Sequence, residues 1–276
     1  MLKMKQILLL LFLSSIFVIP NSFSQHSIYT DYSYKPDKNY FKSYLTASKK
    51  IAISPARWNK KQWIIAGSVV AAGAVIYSFD EEIQSFFQSN QTEGSDFAAK
   101  YIFEPWGSGL YPAILIGGFY VYGLSAKDLR ARQIALGATQ AFIISGITVS
   151  VLKHLTHRHR PYQDVPSNSK LWEGPFKGFE YTSFPSGHTI TAFTMASFFS
   201  SVYKDKLWVA LVAYGLASGV GLERIYDNQH WASDVFIGAA LGVAIGKAIY
   251  LVMDKDSRLS MGISDTGGIA LVYHIK

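Results

Sequence analysis

Residues 134–161 read IALGATQAFIISGITVSVLKHLTHRHRP. The first part of this stretch, up to Leu152, carries no charge and is rich in glycine and alanine, which suits the close approach of helices inside a membrane. The stretch then becomes strongly basic and ends at Pro161, whose ring disfavours helix at Arg160. It therefore predicts a helix that leaves an apolar environment and ends in a cluster of cations.

Five further apolar segments accompany this one. Together the six cover residues 63–79, 110–124, 134–152, 189–203, 207–222 and 235–253. Several are shorter than the roughly 20 residues that span a bilayer, so each alone could be a buried helix of a soluble bundle. Six in succession, with the charges confined between them, predict an all-α fold, a six-helix transmembrane bundle.

The composition narrows the possible classes of protein. Of the 276 residues, 49% are hydrophobic and 16% are charged, which excludes disorder for most of the chain. The absence of cysteine excludes disulfides, thiolate metal sites and a cysteine nucleophile. The net charge of +7 is divided among separate connections instead of one stripe, so no nucleic-acid partner is expected.

The two ends of the chain differ from its middle. Residues 1–24 have a basic start, an apolar run and small residues before Gln25, which predicts a signal peptide; an uncleaved anchor is the alternative. Residues 25–61 form a polar segment, either a loop or a short surface helix. The membrane domain is expected over 62–256. In the tail, 257–276, two alternating runs around a glycine-containing turn predict a β-hairpin.

The first polar cluster directly follows residues 134–152. Lys153 and Arg160 are seven residues apart, so one helix face can present both cations at the mouth of the bundle. The alternative is a basic flank that anchors a membrane helix at the interface. His154, His157 and His159 share the cluster, but without a neighbouring carboxylate or cysteine they do not favour a metal site.

The second polar cluster, residues 183–189, opens the fourth apolar segment. Its Pro-Ser-Gly sequence predicts a tight turn, and Ser186 is placed to cap the helix that follows. Free N–H groups at the helix start, beginning near Gly187, form an anion site, and His188 would lie beside a bound anion. An ordinary helix cap with a surface histidine is the alternative.

The third polar cluster, residues 223–234, lies between the last two apolar segments. His230 and Asp234 are four residues apart and so are neighbours on a helix face. A carboxylate bonded to one imidazole nitrogen leaves the other nitrogen free to act. Arg224 adds a planar cation suited to phosphate oxygens. A structural histidine–aspartate pair is the alternative.

Taken together, the three clusters supply what metal-free phosphoryl transfer requires. Cations neutralise the phosphoryl oxygens, a nucleophile attacks phosphorus, and an acid protonates the leaving group. A neutral imidazole is a competent nucleophile.

The clusters resemble the three signature motifs of the type-2 phosphatidic acid phosphatase superfamily, which includes membrane lipid phosphatases, class A acid phosphatases and vanadium haloperoxidases. The matching residues are Lys153-x6-Arg160-Pro161, Pro185-Ser186-Gly187-His188 and Arg224-x5-His230-x3-Asp234. The motifs occur in order with full internal spacing, and the resemblance covers roughly residues 60–253. One position departs from the membrane members, which usually have serine where this chain has Glu223; the class A acid phosphatases resemble the Glu-Arg form.

The resemblance implies a role for each matching residue. His230 attacks phosphorus to form a phosphohistidine, Asp234 orients His230, and His188 protonates the leaving oxygen and later activates water. The phosphate oxygens are bound by Lys153, Arg160, Arg224, Ser186 and the Gly187 backbone. No metal and no cofactor are implied.

The charges between the segments predict an orientation. The connection at 125–132 is basic and Lys204 and Lys206 flank Asp205, whereas the connection at 80–104 is acidic. The positive-inside rule then makes the catalytic end extracytoplasmic. That orientation puts residues 25–61 in the cytoplasm, which conflicts with a cleaved signal peptide if all six segments are full crossings.

The leading interpretation is a phosphatase of a membrane lipid in a bacterial-type cell membrane, with its active site on the periplasmic face. Candidate substrates are phosphatidic acid, phosphatidylglycerol phosphate, undecaprenyl diphosphate and a lipid A phosphate. Aromatic residues between the first two motifs, Trp172, Phe176, Phe179 and Tyr181, could line the lipid's path or form an interfacial belt. The alternatives are a broad-specificity periplasmic acid phosphatase, a vanadate-dependent haloperoxidase, and a non-enzymatic membrane protein that retains a relic site. The oligomeric state is left open.

Overall fold

The computed structural model describes residues 35–178 and 180–256, followed by the backbone of two strands. The predicted signal peptide lies outside the described residues. The described chain is mostly helical. In order, its elements are α1 (Lys38–Ile53), a 3-10 turn (Ser54–Arg57), α2 (Lys60–Tyr77), α3 (Asp80–Gln88), α4 (Glu93–Ala98), a π-helical turn (Ala99–Phe103), α5 (Glu104–Gly107), α6 (Leu110–Ser125), α7 (Leu129–Thr156), α8 (Gly187–Val202), α9 (Leu207–Tyr226), α10 (Ala232–Asp256), β1 (Leu259–Ile263) and β2 (Ile269–Tyr273).

Each of the six apolar segments falls on a helix, namely α2, α6, α7, α8, α9 and α10. Within the described residues, three helices are long and apolar enough to cross a membrane: α7, α9 and the Ala232–Met253 part of α10. A fourth crossing arises if α2 and α3, which are bent by 59° relative to each other, form one span. The prediction of a helical, multi-pass membrane protein is confirmed. The count of six crossings stays a prediction, because α6 and α8 have 16 residues each.

Helix α8 is the central element of the bundle and packs against α7, α9 and α10. Most of its side chains are buried, including Ile190, Phe193 and Phe198. Together with Ile134 and Ile144 of α7, these residues contribute to the apolar interior. Since α8 begins at the second polar cluster, its burial fixes that cluster at one end of the bundle.

Helix α10 approaches α8 through glycines spaced four residues apart. These are Gly238, Gly242 and Gly246. A Cβ atom at Gly238 would lie 3.0 Å from the carbonyl oxygen of Ser186, and one at Gly242 would lie 2.6 Å from that of Ile190. The two backbones are therefore in direct contact. This contact brings Asp234, one turn before Gly238, next to Ser186, whose N–H donates to the Asp234 carbonyl at 3.2 Å.

The C-terminal tail contains two strands that pair antiparallel, with Leu259 opposite Tyr273 and Ile263 opposite Ile269. The five residues between them, 264–268, lie outside the described residues. The turn that would join the strands into a hairpin therefore stays a prediction.

The α8–α10 contact predicts the effect of a single added methyl group. Gly242→Ala should lower the unfolding free energy by about 1–3 kcal/mol, because the Cβ meets a backbone oxygen that no rotamer change can move. Thermal unfolding in detergent measures this. Gly146→Ala on α7 is the matched control, since no atom lies within 4 Å of its Cβ position. Equal melting temperatures for the two variants would contradict the close backbone contact.

Candidate active site

The three polar clusters meet at one end of the bundle, where α7 and α9 end and α8 and α10 begin. The Lys153 side chain reaches the start of α8, because a Cβ on Gly187 would lie 3.9 Å from Lys153 Cε. Arg160 Nη1 donates to Gln229 Oε1 at 2.7 Å, which links the first cluster to the residue before His230. His188 is within electrostatic range of His230, Lys153, Arg160 and Arg224. The structure thus brings together the residues that the three motifs predict.

Asp234 is fully buried and accepts hydrogen bonds on both oxygens. Arg158 Nη1 donates to Oδ1 at 2.6 Å, while the Ser183 hydroxyl and the Trp231 N–H donate to Oδ2 at 2.6 and 3.1 Å. These donors come from the first cluster, the second cluster and the loop before α10. The carboxylate is therefore held at a fixed position next to His230.

His230 lies in that loop and its side chain is 3% exposed. Its Nδ1 is 3.8 Å from Asp234 Oδ2, too far for a hydrogen bond, and finds no hydrogen-bond partner among the described residues. The sequence predicts a direct bond here; in the structure Asp234 Oδ2 instead accepts hydrogen bonds from the Ser183 hydroxyl and the Trp231 N–H. Burial lowers the pKa of His230 to about 3, and the charges of Lys153 and Arg160 act in the same direction against Asp234. The imidazole is consequently neutral near pH 7.

Arg158, which is not one of the predicted site residues, is the central residue of a buried ionic network. Its guanidinium is fully buried and pairs with Asp234 at 2.6 Å and with Asp80 at 2.7 Å. Ser233 bonds to both sides of this network: its hydroxyl is 2.8 Å from Arg158 Nη1 and donates to Asp80 at 2.5 Å. The Ser169 carbonyl accepts two further bonds from Arg158. Every donor of the buried cation therefore faces a polar group or a ring.

Three aromatic rings surround the same guanidinium. Their centroids lie 4.8 Å (Tyr77), 4.9 Å (Trp172) and 5.5 Å (Trp231) from Arg158 Cζ. Such contacts stabilise a desolvated cation. The sequence does carry a signal for this network: Arg158 is a third cation between Lys153 and Arg160, and Asp80 is the first of three consecutive acids that follow the first apolar segment.

Ser186 is at the N-cap position of α8 and is fully buried. The prediction that its side chain caps the helix is wrong, because no cap hydrogen bond forms within the described residues. Its Oγ instead accepts a hydrogen bond from the Thr189 hydroxyl at 2.8 Å. The first N–H groups of a helix have no partner inside the helix, so the start of α8 can still bind an anion.

Arg224 is paired with a buried carboxylate in this structure. Its Nε donates to Glu223 Oε2 at 2.6 Å, and its Nη2 donates to the other Glu223 oxygen. Asp227 lies 3.6 Å from the same guanidinium. The position at which the chain departs from the membrane members thus neutralises one of the three predicted phosphate-binding cations.

His188, the predicted acid, is packed against α5. A Cβ on Gly107 would lie 2.7 Å from His188 Cδ2, which leaves no room for a larger residue there. His188 Nε2 is 3.8 Å from Glu104 Oε1. A half-exposed carboxylate is therefore the nearest anion to this imidazole.

The remaining histidines and aromatic residues organise the connection between α7 and α8. His157 ends α7 in a left-handed conformation, and its two ring nitrogens face the carbonyls of Gly174 and Gly178. His159 lies between Asp164 and Glu173, at 2.9 and 3.2 Å, and stacks on Tyr181. Within the described residues, no group of three or more histidines and acids is arranged to hold a metal ion.

The four aromatic residues proposed to contact lipid have different environments. Trp172 packs on Arg158 and Tyr181 stacks on His159, so both have roles inside the connection. Phe176 is 87% exposed and borders a shallow apolar cavity with Val151 and Leu155. Phe179 lies outside the described residues.

The buried network predicts a large effect from removing Arg158. Arg158→Leu should destabilise the protein by about 3–5 kcal/mol, because it leaves two buried carboxylates without their cation. Denaturant unfolding in detergent measures the change, with Arg130→Leu as a control at an exposed arginine. Adding Asp80→Asn to Arg158→Leu should recover part of the loss. If Arg158→Leu alone is as stable as the Arg130→Leu control, the network has no structural role.

Comparison with known proteins places these motifs in a family. The model of the PAP2 superfamily matches residues 135–258. The lipid A 1-phosphatase of Porphyromonas gingivalis is 44% identical over 78 residues, which are 28% of this chain and 18% of that protein. The bacitracin transport permease protein BcrC of Bacillus licheniformis is 30% identical over 147 residues, 53% of this chain and 68% of that protein.

Among solved structures, the first transmembrane PAP2 type phosphatidylglycerolphosphate phosphatase from Bacillus subtilis has a TM-score of 0.47 and 24% identity, covering 82% of this chain and 97% of that one. The chain thus spans most of the length of BcrC but less than a fifth of the lipid A 1-phosphatase. Because a relative with 30% identity is matched over 68% of its length and the family model covers all three motifs, the chain belongs to the PAP2 superfamily.

Proposed function

We propose that this protein is a metal-independent phosphatase that hydrolyses a phosphomonoester or diphosphate on a membrane lipid. The observation that carries the proposal is the position of His230, a buried imidazole that is neutral near pH 7. It lies with the predicted cations and the start of α8 at one end of apolar helices. The lipid A 1-phosphatase, a relative by sequence, supports a phosphorylated lipid as the substrate class.

In the first step of the proposed reaction, an imidazole nitrogen of His230 attacks phosphorus. A nitrogen–phosphorus bond forms and the bond from phosphorus to the leaving oxygen breaks. Nδ1 faces Asp234 at 3.8 Å, so Nε2 is the nitrogen available for attack. The carboxylate stabilises the positive charge that develops on the ring, and its three hydrogen bonds keep it from moving during the reaction.

His188 takes up a proton from water when the anionic phosphoryl group binds beside it, because a nearby negative charge favours the imidazolium, and it gives that proton to the leaving oxygen. In the second step it accepts a proton from water as the water attacks the phosphohistidine and releases phosphate. Lys153, Arg160 and Arg224, with the backbone of Gly187 and the Ser186 hydroxyl, bind the phosphoryl oxygens. For Arg224 this means exchanging at least part of its pairing with Glu223 for the substrate.

We also propose that α2, α6, α7, α8, α9 and α10 make six crossings, with the catalytic end on the periplasmic side of a bacterial-type cell membrane. The distribution of charge supports this orientation. Lys127 lies between α6 and α7, and Arg130 lies in the first turn of α7. Lys204 and Lys206 lie between α8 and α9. All four are at the end of the bundle opposite the site. Positive residues prefer the cytoplasmic side.

This orientation constrains the N-terminal segment. Helix α2 ends at Tyr77, beside Arg158 at the catalytic end, so residues 38–59 precede the opposite end of α2. They are then cytoplasmic. If residues 1–24 were cleaved as a signal peptide, residues 38–59 would instead lie on the periplasmic side. A cleaved signal peptide and six full crossings are therefore incompatible.

The proposal predicts complete dependence on His230. His230→Ala should abolish phosphate release, because the proposed reaction proceeds through attack of this imidazole on phosphorus. Detergent-purified protein is tested on a panel of lipid and soluble phosphates with EDTA present throughout. His154→Ala is the matched control, since His154 bonds to the Ser150 carbonyl of its own helix.

Three outcomes are informative. Release from a lipid that is lost in His230→Ala supports the lipid phosphatase. Release only from soluble esters supports the acid phosphatase instead, for which Glu223 is the favouring residue. Activity that is absent in EDTA and appears when EDTA is replaced by a divalent metal would refute the metal-independent mechanism.

Vanadate provides a second test of the same pocket, because it mimics the phosphoryl group during transfer. Arg160→Ala should lower turnover and raise the vanadate concentration needed for half inhibition at least tenfold, as expected when a charged hydrogen bond of about 1.5–3 kcal/mol is removed. Lys170→Ala, an exposed cation in the same connection, is the control. Unchanged inhibition in Arg160→Ala would exclude Arg160 from the pocket.

A further inference from the structure

Helix α1 packs against the bundle at the end opposite the catalytic residues. The Tyr40 hydroxyl donates to the Leu136 carbonyl of α7 at 3.1 Å, and the Gln140 amide donates to Ser43 Oγ at 3.0 Å. Ala47 is fully buried in the same contact. These contacts hold α1 against the first half of α7.

The depth of this contact matches a membrane surface. Leu136 lies four residues after Arg132, the last charged residue before the uncharged run, and the exposed Arg130 lies two residues earlier. At 1.5 Å per residue, the Tyr40 contact is therefore within about one helical turn of the point where charged residues give way to apolar ones. Helix α1 lies at the level where the hydrocarbon of a bilayer begins.

The helix has three faces with different properties. Tyr40, Ser43 and Ala47 face the bundle. Next to them, Phe41 and Leu45 are 61% and 78% exposed, although both are large and apolar. The third face carries exposed lysines, which are Lys38, Lys42 and Lys49.

This arrangement matches a helix that lies in the plane of the membrane. An apolar face enters the boundary between headgroups and acyl chains, while lysines extend their charge to the headgroups. Phe41 and Leu45 are adjacent to the lysine face and not opposite it, since one side of α1 is already covered by the bundle. At this depth, the Phe41 and Leu45 side chains can contact acyl chains while the lysines reach the headgroups.

The charge of the surroundings selects the kind of headgroup. The same end of the bundle carries further exposed cations, including Lys60, Arg130, Lys204 and Lys206. A surface with this many positive charges attracts anionic lipids. We propose that α1 is an in-plane interfacial helix whose lysines bind anionic phospholipid headgroups in the leaflet opposite the catalytic end.

The depth of α1 can be measured directly, because the chain contains no cysteine and each introduced cysteine is unique. Leu45→Cys and Lys42→Cys are spin-labelled in the full-length protein and reconstituted in phosphatidylcholine vesicles containing phosphatidylglycerol. Val70→Cys, on the exposed side of α2, gives the reference for lipid. The label at Leu45 should be accessible to oxygen and protected from a water-soluble nickel chelate, as at Val70, and the label at Lys42 should be accessible to the chelate.

Two results of this measurement would overturn the proposal. A Leu45 label as accessible to nickel as the Lys42 label would place α1 in water. A Leu45 label protected from both reagents would mean that protein, for example a second copy of the chain, covers this face.

The choice of headgroup is tested with a fluorescent label at Leu45→Cys and brominated lipids as quenchers. Brominated phosphatidylglycerol should quench more strongly than brominated phosphatidylcholine, with a preference of up to about fivefold for each lysine. Lys38→Gln, Lys42→Gln and Lys49→Gln together should remove the preference, whereas Lys100→Gln with Lys170→Gln should leave it. Equal quenching by the two lipids, or a preference that survives the triple substitution, would refute the anionic lipid site.

Discussion

The arrangement of residues at the site end of the bundle depends on the burial of Arg158. A guanidinium removed from water costs several kcal/mol unless charges and dipoles replace its hydration. Asp80, Asp234, Ser169, Ser233 and three aromatic rings do so here. These partners come from the start of α3, the start of α10 and the connection after α7, so one cation can be satisfied only when three distant segments are correctly placed. Since Asp234 is one of its partners, the same requirement positions the carboxylate beside His230.

The helix packing and the ionic network support each other at this end. Glycines of α10 allow its backbone to touch that of α8, and this contact places the Ser186 N–H against the Asp234 carbonyl. The Asp234 side chain meanwhile binds Arg158 and Ser183. Asp234 is thus fixed through its backbone by apolar packing and through its carboxylate by charge. A residue held in both ways can stabilise charge on His230 without reorganising, which is the property that electrostatic catalysis requires.

The sequence predicts these features to different extents. Long uncharged runs identify the six helices, because helix is the structure that satisfies every backbone group in an apolar environment. The motif residues are recognisable because their spacing reflects local helix geometry and turn chemistry. The pairing of Asp80 with Arg158 depends on a separation of 78 residues that no local pattern encodes. The Ser186 prediction fails for a local reason: the hydroxyl of Thr189, three residues on in the same first turn, donates to Ser186 Oγ in a fully buried site, and no cap hydrogen bond forms. The predicted direct bond between His230 and Asp234 does not form. Asp234 Oδ2 instead accepts from the hydroxyl of Ser183, 51 residues earlier in the chain, and from the backbone N–H of the nearby Trp231.

The pairing of Glu223 with Arg224 has a consequence for the timing of a catalytic cycle. A carboxylate on the neighbouring residue is always present at the same guanidinium and cannot diffuse away. In a phosphatase of the proposed kind, the Glu223 carboxylate competes with inorganic phosphate for the Arg224 guanidinium. It limits how tightly the product can be held and gives Arg224 an immediate replacement partner when phosphate departs. In the proposed reaction, this competition lowers the contribution of Arg224 to substrate affinity and shortens the time for which the product stays bound.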